Sequence, residues 1–541
     1  MRAGGPAVPP PASDTGRDRA SEGASPSRAF PSGSAPAGGG PGRFVSASGG
    51  PASDGLLGRV LLQAQILALI GIMAAPAFTS AAGLLRLALP AGALVVAVFF
   101  LLRGDMRRYI AFCLWLFLLT PFIRRMVDFH AGFLDYSPLL LSPYAALAPA
   151  AGALAFAMAN LRHPMSAGLL LVVAAAVYGL MLAALNGQFL PGAYDLLLWV
   201  LPAAFGMFVA CNPSWVGHLR RDLTVFSVFS GIVLGLYALY QFRYMPGWDA
   251  LWMKKTLMPT IGEPYPYKVR VFATMNSPAS LALFLLLPLS MLIVSKGALR
   301  WVALALGFVA LGLTAVRTAW VGIFIIGAYC FLLGSGRIRT SMLALALVLV
   351  VVAPMALLTD QGTKIVSQRI ESMLDARSDV SANERLHVYS AAFEEMERHV
   401  FGSGLGGSRA DPATKSGVQA MQIDSGPIAA MLAVGVVGAL VYYVGIGFVV
   451  AFLFIPGPTL RAEERALVLA AQAIAVSYLV MSLLIPATFG EHGVVFWFML
   501  GMGVAQITAA RAEMRLTSQN RASPAAGIAP GPAVAPLPTH L

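Results

Sequence analysis

The chain has 541 residues, of which 58% are hydrophobic and only 11% are charged, and its formal net charge is +12. Soluble domains are nearer half apolar and a quarter charged, so this composition excludes a soluble globular protein and predicts that lipid is the solvent. The cationic surplus is spread over short loops and forms no aromatic-basic module, so nucleic acid is not expected as a partner.

Composition shifts along the chain predict its organisation. The first residues are rich in Pro, Gly, Ser and Ala and lack the large apolar residues that a core needs, and the last residues are similar. A membrane span needs about 20 mostly apolar residues, and scanning for such runs predicts an all-α polytopic bundle of about 12–14 spans. The expected order is a disordered cytoplasmic tail (1–55), transmembrane helices with a periplasmic loop near 244–277 (56–358), a large, partly helical periplasmic loop (359–426), further transmembrane helices (427–510) and a second disordered cytoplasmic tail (511–541).

Basic residues mark alternate loops. Each loop predicted on the same side as the N-terminus contains Lys or Arg, whereas the opposite loops 186–193 and 486–490 contain none. Cytoplasmic loops of membrane proteins carry this excess, so we expect both termini in the cytoplasm of a multi-pass protein. Cations on the outer side then need another explanation.

Arg317 is the clearest of these outer cations. It lies between two apolar stretches with almost no loop to hold it. A charge at that depth is costly unless it is paired or wet, which makes Arg317 a functional candidate, with an arginine extended to lipid headgroups as the alternative. Other cations predicted on this side are Arg124, Arg125, Lys254, Lys255, Lys268 and Arg270.

The predicted outer loop that ends at Ser277 is basic and aromatic. Interfacial aromatics are normally membrane anchors, but their faces also stack on sugars, and arginine binds phosphate through two parallel donors. Arg270 is followed by Asn276, Ser277 and Pro278, a sequence that predicts a capped helix start. Because a helix N-terminus attracts anions, these residues together predict a diphosphate cradle.

The long loop is predicted to contain two helices, one near 362–375 and one that starts after Ser381 and ends near His399. The glycine run at 401–408 that follows is able to form an anion-binding nest, with a flexible turn as the alternative. Asp424 lies where the loop returns to the membrane. It is placed either to act as a general base or to cap the helix that begins near Pro427.

These segments resemble the O-antigen ligase and polymerase-like membrane proteins, which act on undecaprenyl-diphosphate-linked glycans at the outer face of the bacterial inner membrane. The resemblance covers mainly residues 268 to about 440, and a segment at 121–138 is also similar to some members. Val316 stands where the family usually has serine, and Asp424 stands where it has the catalytic histidine. The motifs are Arg270–Pro278, Leu313–Trp320, Arg385 through Gly406, and Asp424-Ser425 followed after nine residues by Gly435-Val-Val-Gly438.

The resemblance implies a metal-independent, inverting glycosyltransferase without a cofactor. Its implied partners are the lipid-linked glycan and membrane lipid, with a chain-length regulator and a flippase as further candidates. Aspartate in place of histidine favours a polymerase of oligosaccharide repeats for O-antigen or exopolysaccharide. The implied catalytic residues are Asp424, Arg317 and Arg270, and the implied substrate-binding residues are Arg124, Arg125, Lys268, Asn276, Arg385, Gly404, Gly406 and Ser425.

Three alternatives stay open. A ligase that transfers finished glycan to lipid A core would be favoured by a functional histidine, such as His387 or His492, if Asp424 proved dispensable. A transporter often shows internal repeats and broken helices, and no convincing repeat is present here. A non-catalytic assembly subunit would also fit the missing histidine.

Overall fold

The computed structural model describes residues 55–256, 258–357, 390, 392–407 and 425–522, all within one compact unit, Arg43–Leu541. Arg385, Asp424, the helix predicted near 362–375 and most of both predicted tails lie outside the described residues. The named α-helices are α1 (Leu56–Ala74), α2 (Leu85–Leu102), α3 (Met106–Ala131), α4 (Ser142–Leu147), α5 (Ala153–Ala159), α6 (Ser166–Leu185), α7 (Phe189–Ala210), α8 (Val216–Tyr244), α9 (Gly247–Thr256), α10 (Pro278–Val294), α11 (Leu299–Thr314), α12 (Arg317–Leu333), α13 (Gly336–Leu357), α14 (Gly426–Phe454), α15 (Ala462–Ser482) and α16 (Gly490–Ala522).

The predicted all-α polytopic bundle is confirmed. Ten helical segments among the described residues are long and apolar enough to cross a membrane. Three more apolar helices, α10, α11 and α12, have only 16 or 17 residues. At 1.5 Å per residue such a helix reaches roughly 25 Å, slightly less than a typical hydrocarbon core. The predicted count of 12–14 spans therefore depends on these short helices.

The loops at one end of the bundle are joined to one another. We call this end the arginine end and define it by loops 131–137, 186–188, 245–277, 315–316 and 483–489. Its cross-links include Asn186 Nδ2 to the Ser403 carbonyl at 2.8 Å and Arg270 Nη2 to the Ala315 carbonyl at 2.9 Å. At the opposite end, Glu463 pairs with Arg220 at 3.0 Å and with Lys296 at 3.4 Å. These contacts join loops that the charge pattern predicts to lie on the same side.

The centre of the bundle is formed by α3, α10 and α16, whose side chains are buried along most of their length. Helices buried on all sides carry apolar residues all round, which explains why no amphipathic stripe predicts their orientation. The only strand-like pairing in the described residues is an isolated bridge between Gly262 and Val269. The core therefore consists of packed helices that hold the loops of the arginine end.

The last helix is longer than the sequence predicts. The span was expected to end at residue 510, but α16 continues to Ala522. Arg511 lies over the Phe452 ring at 4.7 Å, and Glu513 pairs with Arg461 at 2.6 Å. These tertiary contacts extend the helix into a segment whose composition alone predicts disorder.

Helix α14 is broken at Gly435, whose φ and ψ are 71° and 173°. The break removes the helical partners of the carbonyls before it. Leu432 O instead accepts from Ser403 N at 2.8 Å, and Ala433 O accepts from Gly404 N at 2.9 Å. The glycine-rich chain at 400–404 is thereby held against α14 by main-chain hydrogen bonds, as a strand would be.

We expect Gly435→Ala to destabilise the protein. A Cβ at this position would lie 2.6 Å from the Phe401 carbonyl carbon and the Val400 oxygen, and the positive φ strains any L side chain. The strain alone costs about 1–3 kcal/mol, so the thermal midpoint of the purified protein should fall measurably. Gly447→Ala is the matched control, because it lies in the same helix and its Cβ would meet nothing within 4 Å. Equal midpoints for the two variants would contradict this account of the break.

Candidate functional site

The turn between α11 and α12 carries the site. Ala315 ends α11 in the left-handed region, with φ 52°. The last carbonyls of a helix have no helical partners, and cations are favourable there. Arg270 meets both needs, since its Nε donates to Thr314 O at 3.1 Å and its Nη2 donates to Ala315 O at 2.9 Å. Val271 N adds a bond to Leu313 O at 3.2 Å.

Arg317 is the first residue of α12, directly after this turn, and it is exposed. The turn that Arg270 binds therefore leads directly into Arg317, and the structure brings together two residues that are far apart in sequence. The N-terminus of α12 adds its own positive partial charge at the same point. Arginine side chains and helix N-termini are groups that bind phosphate, and Arg270, Arg317 and the start of α12 all adjoin this turn.

The predicted cradle is corrected in one respect. Ser277 does cap α10, since its Oγ accepts from Ser280 N at 3.1 Å, and Pro278 is the first residue of that helix. However, the hydroxyl of Ser280 donates to the carboxylate of Glu491, so an acidic side chain already lies at this helix start. The helix start beside Arg270 is that of α12. Sequence order suggested α10 because it follows Arg270 directly.

Asn276 lies just before that cap and is half-buried. Its carbonyl oxygen accepts from Trp252 Nε1 at 3.2 Å. Its side-chain Oδ1 is buried and has no hydrogen-bond partner among the described residues. Buried polar atoms are nearly always satisfied, so this atom identifies a place where a ligand or solvent group fits.

Arg125 supports the chain between Arg270 and Ser277 from inside the protein. Its side chain is fully buried, donates to the carbonyls of Ala273 and Met275, and pairs with Asp249 Oδ1 at 2.9 Å. The Phe272 ring lies 4.8 Å from its guanidinium carbon. The side chain that the sequence offered as substrate-binding therefore contacts the protein on all sides and positions the chain between Arg270 and Ser277.

Arg124 is similarly occupied. It donates to Leu134 O at 2.7 Å and Asp135 O at 3.0 Å, and it pairs with Asp128 at 3.3 Å. Its guanidinium also stacks on Trp252 at 4.6 Å. These contacts tie α3 to the loop after it and to α9.

Gln241 and Asp249 complete this buried support, and sequence reasoning missed both. Gln241 Oε1 accepts from Phe272 N at 2.8 Å and from Ala273 N at 2.9 Å, while its Nε2 donates to Asp249 at 2.7 Å. Burial raises the pKa of Asp249, and Arg125 beside it acts in the opposite direction. A signal was present for Gln241, because a polar residue within an apolar helix such as α8 usually has a polar partner.

Lys268 lies on the surface of the same loop and pairs with Glu263 at 2.8 Å. The hydrogen bond to Glu263 raises the pKa of Lys268 above its ordinary value, so the side chain stays cationic. Exposed pairs of this kind contribute little stability, so an anionic ligand can replace Glu263 at small cost.

The glycine run has a packing role. Gly404 N donates to Ala433 O and Gly406 N donates to Asp195 Oδ2, both at 2.9 Å. Both glycines have positive φ, and a Cβ on either would lie 2.5 Å from a backbone nitrogen of a neighbouring helix. These N–H groups are committed to protein acceptors, so the anion-nest interpretation of Gly404 and Gly406 is not supported, and the flexible-turn alternative is not supported either.

Ser425 is the N-cap residue of α14 and is buried. The cap thus lies one residue after Asp424, whereas the sequence offered Asp424 itself for that position. Gly426 packs at the arginine end, because a Cβ there would lie 3.0 Å from Ser482 O and 3.4 Å from Pro486 Cα. The backbone that follows Asp424 therefore returns to the membrane domain beside loop 483–489.

Fold and site together define a polytopic helical membrane protein with a cationic turn at one end of its bundle. Residues 302–443, about a quarter of the chain, match the family model described as O-antigen ligase, so this part of the chain is similar to that family. The matched range contains Arg317, the glycine run, Asp424 and the break at Gly435, while Arg270 precedes it. No curated protein matches the chain.

Proposed function

We propose that this protein polymerises undecaprenyl-diphosphate-linked oligosaccharide repeats into O-antigen or exopolysaccharide at the periplasmic face of the bacterial inner membrane. The family match supports glycosyl transfer of the O-antigen ligase or polymerase type. The observation that carries the proposal is the turn between α11 and α12, where Arg270 binds the backbone that leads into Arg317. Its cationic surface suits the diphosphate of a lipid-linked sugar.

In the proposed reaction, the diphosphate of the growing chain lies against Arg317 and Arg270. An acceptor sugar hydroxyl attacks the anomeric carbon from the opposite side, forming the new C–O bond with inversion. The bond between that carbon and the phosphate oxygen breaks, and lipid diphosphate leaves with the electron pair. The hydroxyl proton passes to the Asp424 carboxylate. The guanidinium groups stabilise the negative charge that develops on the leaving group, without a metal.

The remaining predicted site residues take supporting roles in this proposal. Lys268 attracts the anionic donor, and Asn276 offers its buried amide oxygen to the substrate. Arg124 and Arg125 position the loop, Ser425 places the backbone after Asp424, and Arg385 binds substrate from the long loop. Both termini are proposed to be cytoplasmic, with membrane lipid, a flippase and a chain-length regulator as partners.

A ligase is the second candidate. His492 lies at the arginine end, where its Nδ1 is 3.4 Å from Pro486 O. A histidine there is able to activate the acceptor on lipid A core if Asp424 does not. Aspartate at the usual histidine position supports the polymerase instead.

Replacing Asp424 tests the proposal. In a strain that lacks the gene, wild-type protein should restore long surface glycan, whereas Asp424→Asn should insert normally and yield single-repeat or absent polymer. Loss of a general base reduces rates by about 10²–10⁴-fold. Asp411→Asn, in the same predicted loop, is the matched control, and gel sizing of extracted surface glycan is the measurement. Full-length polymer from Asp424→Asn would remove the base assignment, and His492→Ala would then test the ligase.

A further inference from the structure

A second polar cluster lies at the arginine end, apart from the two arginines. Glu491 lies in the first turn of α16, and its side chain is 42% exposed. It accepts a hydrogen bond from Ser280 at the start of α10. The next residue, His492, is largely buried, and its Nε2 lies 3.6 Å from Glu491 Oε1.

Two buried polar atoms near this carboxylate lack partners. Among the described residues, no hydrogen-bond partner is present for His492 Nε2 or for Asn276 Oδ1. Such atoms are rare in folded proteins and call for a ligand or solvent group. Here they flank one helix start, since Asn276 precedes the α10 cap and Glu491 is bonded to that cap through Ser280.

The cluster also adjoins the backbone that follows Asp424. A Cβ on Gly426 would lie 3.1 Å from the Tyr443 hydroxyl oxygen and 3.4 Å from Pro486 Cα. Pro486 O in turn contacts His492 Nδ1 at 3.4 Å. The chain two residues after the proposed base therefore packs against Tyr443 and against Pro486, and Pro486 in turn contacts His492.

We propose that Glu491, His492 and Tyr443 form the binding subsite for the acceptor sugar, separate from the donor site at Arg317 and Arg270. The inference rests on the proposed function, because it assigns the second substrate of that reaction. Sugar hydroxyls both donate and accept, so they can pair with a carboxylate, an imidazole and a phenol at once. The negative charge of Glu491 repels a diphosphate, so the two substrates are sorted by charge: the anionic donor binds at Arg317 and the neutral hydroxyls bind at Glu491.

The test uses purified full-length protein in nanodiscs and two probes. One probe is the lipid-free repeat-unit oligosaccharide, released by mild acid from the lipid-linked intermediates of the deletion strain. The other is inorganic pyrophosphate. We expect Glu491→Gln and His492→Gln each to weaken oligosaccharide binding about tenfold or more, since each removes a hydrogen bond to a charged or buried group. Pyrophosphate affinity should stay at the wild-type value.

Two controls separate the possible failures. Glu513→Gln changes the same residue type on the same helix, at the exposed pair with Arg461, and should bind both probes normally. Arg317→Ala should show the reverse pattern, with pyrophosphate binding lost and oligosaccharide binding kept. Tyr443→Phe removes a single oxygen and should also weaken oligosaccharide binding, which keeps the test valid if Glu491→Gln fails to fold.

Wild-type oligosaccharide affinity in Glu491→Gln and His492→Gln, or no oligosaccharide binding by the wild-type protein, would overturn the subsite. Neither result contradicts the proposal that the diphosphate donor binds at Arg317 and Arg270. The proposed function fails on a different result, namely full-length polymer both in cells that carry Arg317→Ala and in cells that carry Arg270→Ala.

Discussion

Arg317→Ala is expected to abolish polymerised surface glycan while the protein inserts at the wild-type level. The side chain is exposed at the first position of α12, so its removal leaves no cavity in the core. Donors aimed at a leaving group are worth about 10²–10³-fold in rate, and a loss of this size leaves single repeats on the cell surface. Glycan sizing and a membrane immunoblot check the two halves of the prediction.

Arg270 should respond differently from Arg317. Arg270→Lys keeps the charge but cannot reproduce the two bonds to Thr314 O and Ala315 O, so both activity and thermal stability should fall. Arg339→Ala is the matched control, because Arg339 also binds two carbonyls at a helix end, Phe331 O and Leu332 O, both at 2.9 Å, but at the opposite end of the bundle. Full-length polymer from both Arg270→Ala and Arg317→Ala would eliminate the proposed donor site.

Arg125→Ala is expected to have the largest effect on folding. It leaves Asp249 without its cation in a fully buried position, and breaking such a pair costs about 3–5 kcal/mol. It also releases the carbonyls of Ala273 and Met275, which the guanidinium binds. We therefore expect a low yield of folded protein, a lower thermal midpoint and no polymer.

A double variant distinguishes an effect on folding from an effect on the site. Arg125→Met with Asp249→Leu replaces the buried pair by apolar groups, so it should recover more stability than either single variant. Polymer should still be absent, because the segment between Arg270 and Ser277 loses the hydrogen bonds that Arg125 donates to Ala273 and Met275. Thermal midpoints and glycan sizing of the three variants provide the measurement. A wild-type midpoint in Arg125→Ala would show that the pair does not hold this segment.

The arginines of the site were identifiable from sequence because they interrupt a regular pattern. Loops alternate in charge, so a cation on the wrong side requires a partner or a ligand. That reasoning selected Arg317 and Arg270, but it selected Arg124 and Arg125 equally. A charge in sequence shows only that some partner is needed. Whether the partner is a carbonyl of the same protein, as for Arg125, or lies outside the chain is a property of the packed structure.

The glycines show the same limit of prediction from sequence. Gly404 and Gly406 show in sequence that the backbone needs freedom, which fits both an anion nest and a close approach to another helix. Gly435 looks like an ordinary small residue in an apolar span. Only the structure shows that α14 breaks at Gly435 and that the chain at 400–404 donates hydrogen bonds to the carbonyls before the break.

The sequence by itself determined the solvent, the helices and their alternation, since these depend on composition and on hydrogen bonds between residues four apart. Only the tertiary structure decided which helix start lies beside Arg270 and which carboxylate lies at the start of α10. Those contacts join residues 44 and 211 positions apart. Helices in lipid are apolar on every face, so their sequences carry little information about which neighbours they pack against. Close packing determines which helices become neighbours, and these neighbours bring the residues of the site together.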